Sequence, residues 1–117
     1  MTPLLTLAVC TRSRPDALER LIDSLGEQEW PQEARLLVVD NDPDCSARPV
    51  VDALDSFPVV TEYVMEPRPG YATVRNRALD AASSSLAVCF LDDDAMVPPD
   101  WIRQMNDTFL QHPDSIV

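Results

Sequence analysis

The chain has 117 residues, 45% of them apolar, which suffices for one buried core and falls short of two full domains. Acidic residues outnumber basic ones 20 to 9, and the net charge of −11 repels phosphate backbones and argues against general nucleic-acid binding. No apolar run reaches bilayer length, no basic region precedes the apolar N-terminus, and three scattered cysteines with the single His112 make neither a disulfide framework, a zinc site nor a Ser-His-Asp triad; a cytoplasmic protein without a transmembrane segment is expected.

Residues 4–10 form a continuous apolar run, as a strand buried in a parallel sheet requires, and Cys10 and Cys89 in such runs read as small buried hydrophobes. Arg14-Pro15-Asp16 then opens a helix whose Leu18, Leu21, Ile22 and Leu25 follow the i, i+3, i+4, i+7 spacing, with Gly26 placed for a left-handed cap. Residues 35–40 are a second buried strand, and 41–44 (Asn-Asp-Pro-Asp) carry loop chemistry. A short helix is expected over 49–57 with Val50, Val51 and Leu54 inward, and a third, β-branched strand over 59–64.

Glu66-Pro67-Arg68-Pro69-Gly70 is too turn-rich for any regular element. Residues 72–82 read as a helix with Val74, Ala78, Leu79 and Ala82 on one stripe, and 83–85 as a serine linker. Residues 86–91 are the fourth buried strand, Pro98-Pro99 starts a helix over about 100–111, and 115–117 look like the start of another strand. Strands alternating with helices imply an α/β fold, a mostly parallel, Rossmann-like sheet with helices on both faces. Such sheets bind ligands beyond the carboxyl ends of their strands, which here carry residues 11–14, 40–42, 66–70 and 92–94.

Asp92, Asp93 and Asp94 directly after a buried strand repel one another unless a cation relieves them, and hard oxygen ligands suit Mg²⁺ or Mn²⁺. In an extended segment Asp92 and Asp94 would converge while Asp93 faces elsewhere. Taken alone, the triplet reads equally well as a solvated acidic turn. Asp40 can accept from a ribose hydroxyl or a base N–H, or simply make an Asx turn. Arg75, Asn76 and Arg77 begin a helix behind Gly70, a place that favours phosphate. With only two glycines there is no G-x-G-x-x-G and no P-loop.

Val9-Cys10-Thr11-Arg12-Ser13-Arg14-Pro15, Leu37-Val38-Val39-Asp40-Asn41, Gly70-x4-Arg75-Asn76-Arg77-Ala78 and Phe90-Leu91-Asp92-Asp93-Asp94 together resemble family 2 glycosyltransferases of the GT-A fold. The resemblance spans nearly the whole chain. It departs where the family has Asn and this chain has Ser13, and where the family often has Ala and this chain has Val74.

The resemblance implies a nucleotide-diphospho-sugar-binding domain over 1–117, a divalent metal, and transfer of the sugar to an acceptor with inversion. It implies that Thr11 and Arg12 line the base pocket, that Asp40 contacts base or ribose, and that Arg75, Asp92 and Asp93 lie among the nucleotide-sugar contacts. Asp92 and Asp94 would be the D-x-D metal ligands. The family's acceptor region and general base come well after that motif, so a truncated, inactive donor-binding half with its base beyond Val117 is expected, with a free sheet edge favouring self-association. The competing readings are a metal-dependent phosphohydrolase or nucleotidyltransferase, a response-regulator receiver, and a non-catalytic nucleotide-binding module.

Overall fold

The four apolar runs become four parallel strands, β1 (Leu5–Thr11), β2 (Ala34–Asp40), β3 (Val60–Met65) and β4 (Ala87–Asp92). The computed structural model describes residues 5–31, 33–54, 56–82 and 87–111, so the serine linker, His112 and the strand expected at 115–117 lie outside the described residues. The helices are α1 (Pro15–Gly26), α2 (Arg48–Asp52), α3 (Tyr71–Ala81) and α4 (Trp101–Gln111). None of them is long and apolar enough to cross a membrane.

The sheet order is β3-β2-β1-β4, every pair parallel. From β1 the chain steps outward to β2 and β3, then returns past β1 to β4. Right-handed crossovers put a helix on one face when the chain steps one way and on the other face when it steps back. Thus α1 and α2 pack with α4 on the face carrying Leu5, Leu7, Val9, Leu36 and Val38, while α3 lies with Ala8, Leu37 and Val39. Both faces of β1 and β2 are covered, which is why these strands read as unbroken apolar runs.

Pro15 fits the first turn of α1, and Leu18, Leu21, Ile22 and Leu25 are all buried, each contributing roughly 2 kcal/mol by apolar transfer. Gly26 does not adopt a left-handed conformation: it ends α1, and the following cap, Glu27, has φ −91°. The Phe57 ring lies beside it, 3.6 Å from where a Cβ would stand, an ordinary contact distance, and that ring packs edge-on against Trp30. Leu79 is 48% exposed, because α3 covers the sheet with the narrower stripe Val74, Ala78 and Ala82. The second helix is shorter than expected, its Val50 and Val51 being only partly buried, and Leu54 lies just beyond it.

Candidate functional site

The point where strand order reverses is the gap between β1 and β4, and in open α/β sheets the ligand crevice lies at the carboxyl ends there. A cleft of about 450 Å³ occupies this position. It continues into a second of about 390 Å³, shared through Cys10, Tyr71, Arg75, Asp92 and Asp94. Parallel register aligns Thr11 with Asp40 and Cys10 with Asp92, so the chemistry-bearing loops share one edge.

The acidic triplet is a turn rather than an extended segment. β4 ends at Asp92, whose carbonyl accepts the amide of Ala95 at 3.1 Å. Asp92 and Asp94 are exposed and line both clefts. Asp93 is buried, 6% exposed, and its Oδ2 accepts the Thr11 hydroxyl at 2.9 Å. Arg14 Nη1 lies 3.6 Å from Asp93 Oδ1 and 3.8 Å from Asp94 Oδ2. Among the described residues no three His, Cys, Asp or Glu side chains gather as a ready metal cage. Behind the triplet, Gln28 fixes the approach to α4: its Nε2 donates to the Pro98 carbonyl at 2.6 Å and its Oε1 accepts the Ile102 amide at 3.0 Å.

Asp40 does not line the cleft. It is fully buried, and its carboxylate already serves three donors: the Asp42 amide at 3.2 Å, the Ala47 amide at 3.1 Å and the Tyr63 hydroxyl at 2.7 Å. It braces the loop that follows β2 and is absent from the cleft lining. Burial, reinforced by this carboxylate, pushes the Tyr63 phenol up. The same loop turns on Asp42, held below the ordinary carboxylate range first by the Ser46 hydroxyl and then by the Asp44 amide, with a contribution from the Ser13 hydroxyl. Ser13 stands at φ 55°, the left-handed region in which asparagine is several-fold enriched, which gives a physical reason for the asparagine that the resembling sequences place there.

The residue that reaches the cleft is the next one, Asn41. Its Nδ2 donates to the carbonyls of Glu66 at 2.6 Å and Arg68 at 2.9 Å, stapling the turn-rich loop to β2. Glu66 is itself buried, and hydrogen bonds from Arg68 hold its carboxyl low. With both amide hydrogens used, Oδ1 of Asn41 is left as a free acceptor. Sequence reasoning passed over Asn41 because the strand-terminal acid beside it looked like the better ligand.

Thr11, Arg12 and Arg75 line the cleft, as does Gly70 of the turn-rich loop, together with Tyr71, which the sequence did not single out. Gly70 has φ 125° and ψ 139°, a region open essentially to glycine alone, and this turns the first turn of α3 onto the cleft. The Arg75 guanidinium lies over the rings of Phe90 at 4.5 Å and Tyr71 at 5.9 Å, and Tyr71 donates to Asp92 at 3.1 Å. Arg77 is exposed and stands outside the cleft lining, as a polar helix face would. Cys10 is in the wall, its thiol pushed up to about 11 by burial, so it is no nucleophile at neutral pH.

The sequence profile of Glycosyl transferase family 2 matches residues 6–117. The succinoglycan biosynthesis protein ExoM of Rhizobium meliloti (strain 1021) is 37% identical over 105 residues, covering 87% of this chain and 33% of that protein. This chain therefore spans about a third of the length of the curated relative it matches. Among solved structures, S. aureus TarS 1–349 superposes with a TM-score of 0.80 at 21% identity, over 97% of this chain and 33% of that one. The same protein in complex with UDP-GlcNAc gives 0.71 at 22% identity, over 97% and 32%. The mannosyltransferase PcManGT from Pyrobaculum calidifontis, in complex with GDP-Man and Mn²⁺, gives 0.65 at 26% identity, over 84% and 29%.

Proposed function

This chain belongs to glycosyl transferase family 2, and from that premise we propose that its cleft binds a nucleoside-diphosphate sugar with a divalent cation, as the donor side of an inverting sugar transfer. The observation that carries the reading is the cleft at the β1/β4 switch point, with exposed Asp92 and Asp94 on one wall and Thr11, Asn41 and Arg75 around it. The donor set fits Mg²⁺ or Mn²⁺: two accessible hard carboxylates would leave positions for diphosphate oxygens and water, as these ions prefer. Asp92 and Asp94 would hold the cation, which when bound neutralises charge on the departing diphosphate. The Mn²⁺ and GDP-Man in PcManGT and the UDP-GlcNAc in TarS support the ligand class.

The protein's own groups divide the remaining work. Asp93, anchored to Thr11, ties the β4 turn to the β1 loop and so fixes the width of the cleft. Arg75, held over the Phe90 ring, is ready for anionic or base oxygens. Asn41 presents an acceptor where a pyrimidine or purine ring N–H could be read, and Asp40 shapes the loop that carries it. An inverting displacement also needs a base for the acceptor hydroxyl, and none is assigned among the described residues, so donor binding is the property to test. In calorimetry of the 117-residue chain with UDP, GDP and dTDP, with and without Mn²⁺, at least one nucleotide binds and Mn²⁺ tightens it. Failure of all three to bind overturns the proposal.

A further inference from the structure

Among the described residues, Arg14 is the one basic side chain within ion-pair distance of the acidic triplet, and it straddles two of the three carboxylates. Both separations exceed hydrogen-bond length, and the Arg14 side chain is 60% exposed. Charge alone holds it there, and it leaves at little cost. Asp93 cannot leave, being buried and bonded to Thr11, whereas Asp94 is 66% exposed and free to change partner.

We propose that Arg14 is a resident counter-ion for the triplet, a positioning residue that occupies the electrostatic place of the divalent cation and is displaced from Asp94 when that cation binds. The proposal rests on the assignment of Asp94 to the cation. Three adjacent carboxylates without a counter-charge would splay their turn. Arg14 sits at the start of α1, three residues after Thr11, the end of β1 that grips Asp93, so its charge reaches the turn from beside an existing anchor. The turn is thereby held against its own charge repulsion before any ligand arrives, and cation affinity is lowered in exchange.

The inference is tested with Mn²⁺ alone on the 117-residue chain, comparing wild type, Arg14→Gln and Arg14→Lys by titration of the free-Mn²⁺ paramagnetic resonance signal and by thermal melting. Arg14→Gln is expected to bind Mn²⁺ about fivefold more tightly, the scale of removing one positive charge at ion-pair distance from a solvated site, while Arg14→Lys stays within about twofold of wild type. In metal-free buffer Arg14→Gln melts a few degrees lower, and saturating Mn²⁺ closes that gap. Unchanged or weaker Mn²⁺ binding by Arg14→Gln, with wild type binding normally, overturns the counter-ion role and leaves the donor site standing. Absence of Mn²⁺ binding in all three proteins overturns both assignments.

Discussion

Replacement of Asp40 separates a scaffold role from a ligand role. Asp40→Ala strands three donors at once: the amides of Asp42 and Ala47 and the hydroxyl of Tyr63. A buried donor without a partner costs about 1–3 kcal/mol, and the site is fully buried. The Tyr63 hydroxyl is only part-buried at its bond and can turn to water, so two full penalties and a fraction of a third apply, about 3–5 kcal/mol together. That is a large share of the roughly 5–15 kcal/mol that stabilises a typical domain. Asp40→Asn can keep its oxygen toward Ala47 and Tyr63 and loses only the long bond to Asp42, so about 1–2 kcal/mol is expected. Urea denaturation followed by circular dichroism measures both. Should Asp40→Ala cost under 1 kcal/mol while nucleotide binding disappears, the carboxylate is a ligand contact and the scaffold argument is wrong.

Gly70→Ala is expected to cost about 1–3 kcal/mol, since the backbone angles there exclude side chains while the space itself is open, Thr73 Oγ1 lying at an ordinary 3.6 Å from the added carbon; a Tm equal to wild type would contradict this. Glu66 is held below its ordinary pKa by Arg68, so its share of stability is present above the unfolded value near 4.5 and is lost as pH falls through the lower folded value. Glu66→Gln should flatten that acid limb in urea melts at pH 3–6, and an unaltered limb would dismiss the pair as a contributor. Burial pushes the thiols of both Cys10 and Cys89 up to about 11, so iodoacetamide at pH 8 should modify both slowly in the native chain and rapidly in urea, as read by peptide mass spectrometry. Fast native labelling of Cys10 would mean that the cleft wall is more open than described.

The alternation of strands and helices was legible because period and run length are backbone properties: a strand buried on both faces must read as an unbroken apolar run, and the residues between it and the next must turn the chain back, whereas the order β3-β2-β1-β4 was not. Thr11, Arg12, Asp92, Asp93 and Asp94 could be placed on one edge from their positions at strand ends, and Arg75 from the helix start behind Gly70. What could not be read was the direction of a side chain once regular geometry stops. Strand alternation set Asp93 apart from Asp92 and Asp94, but it ends at Asp92, and a turn then takes Asp93 down to Thr11. Asp40 and Asn41 are adjacent and both polar, and only the backbone amides that return from Ala47 decide which of them turns inward. Leu79 and Gly26 failed for a similar reason: the sequence shows an apolar stripe and a helix end, while the width of one and the cap of the other depend on what packs opposite.

In the proposed site Asp92 and Asp94 join a divalent cation to a nucleoside diphosphate. Calorimetry of UDP and GDP with wild type, Asp92→Asn and Asp94→Asn, each with and without Mn²⁺, tests it most directly. Mn²⁺ is expected to tighten nucleotide binding to wild type by about tenfold or more, on the order of the coupling expected when two ligands share a site, and Asp94→Asn to remove this gain while circular dichroism stays native. Wild-type coupling to Mn²⁺ that survives in both variants would contradict it.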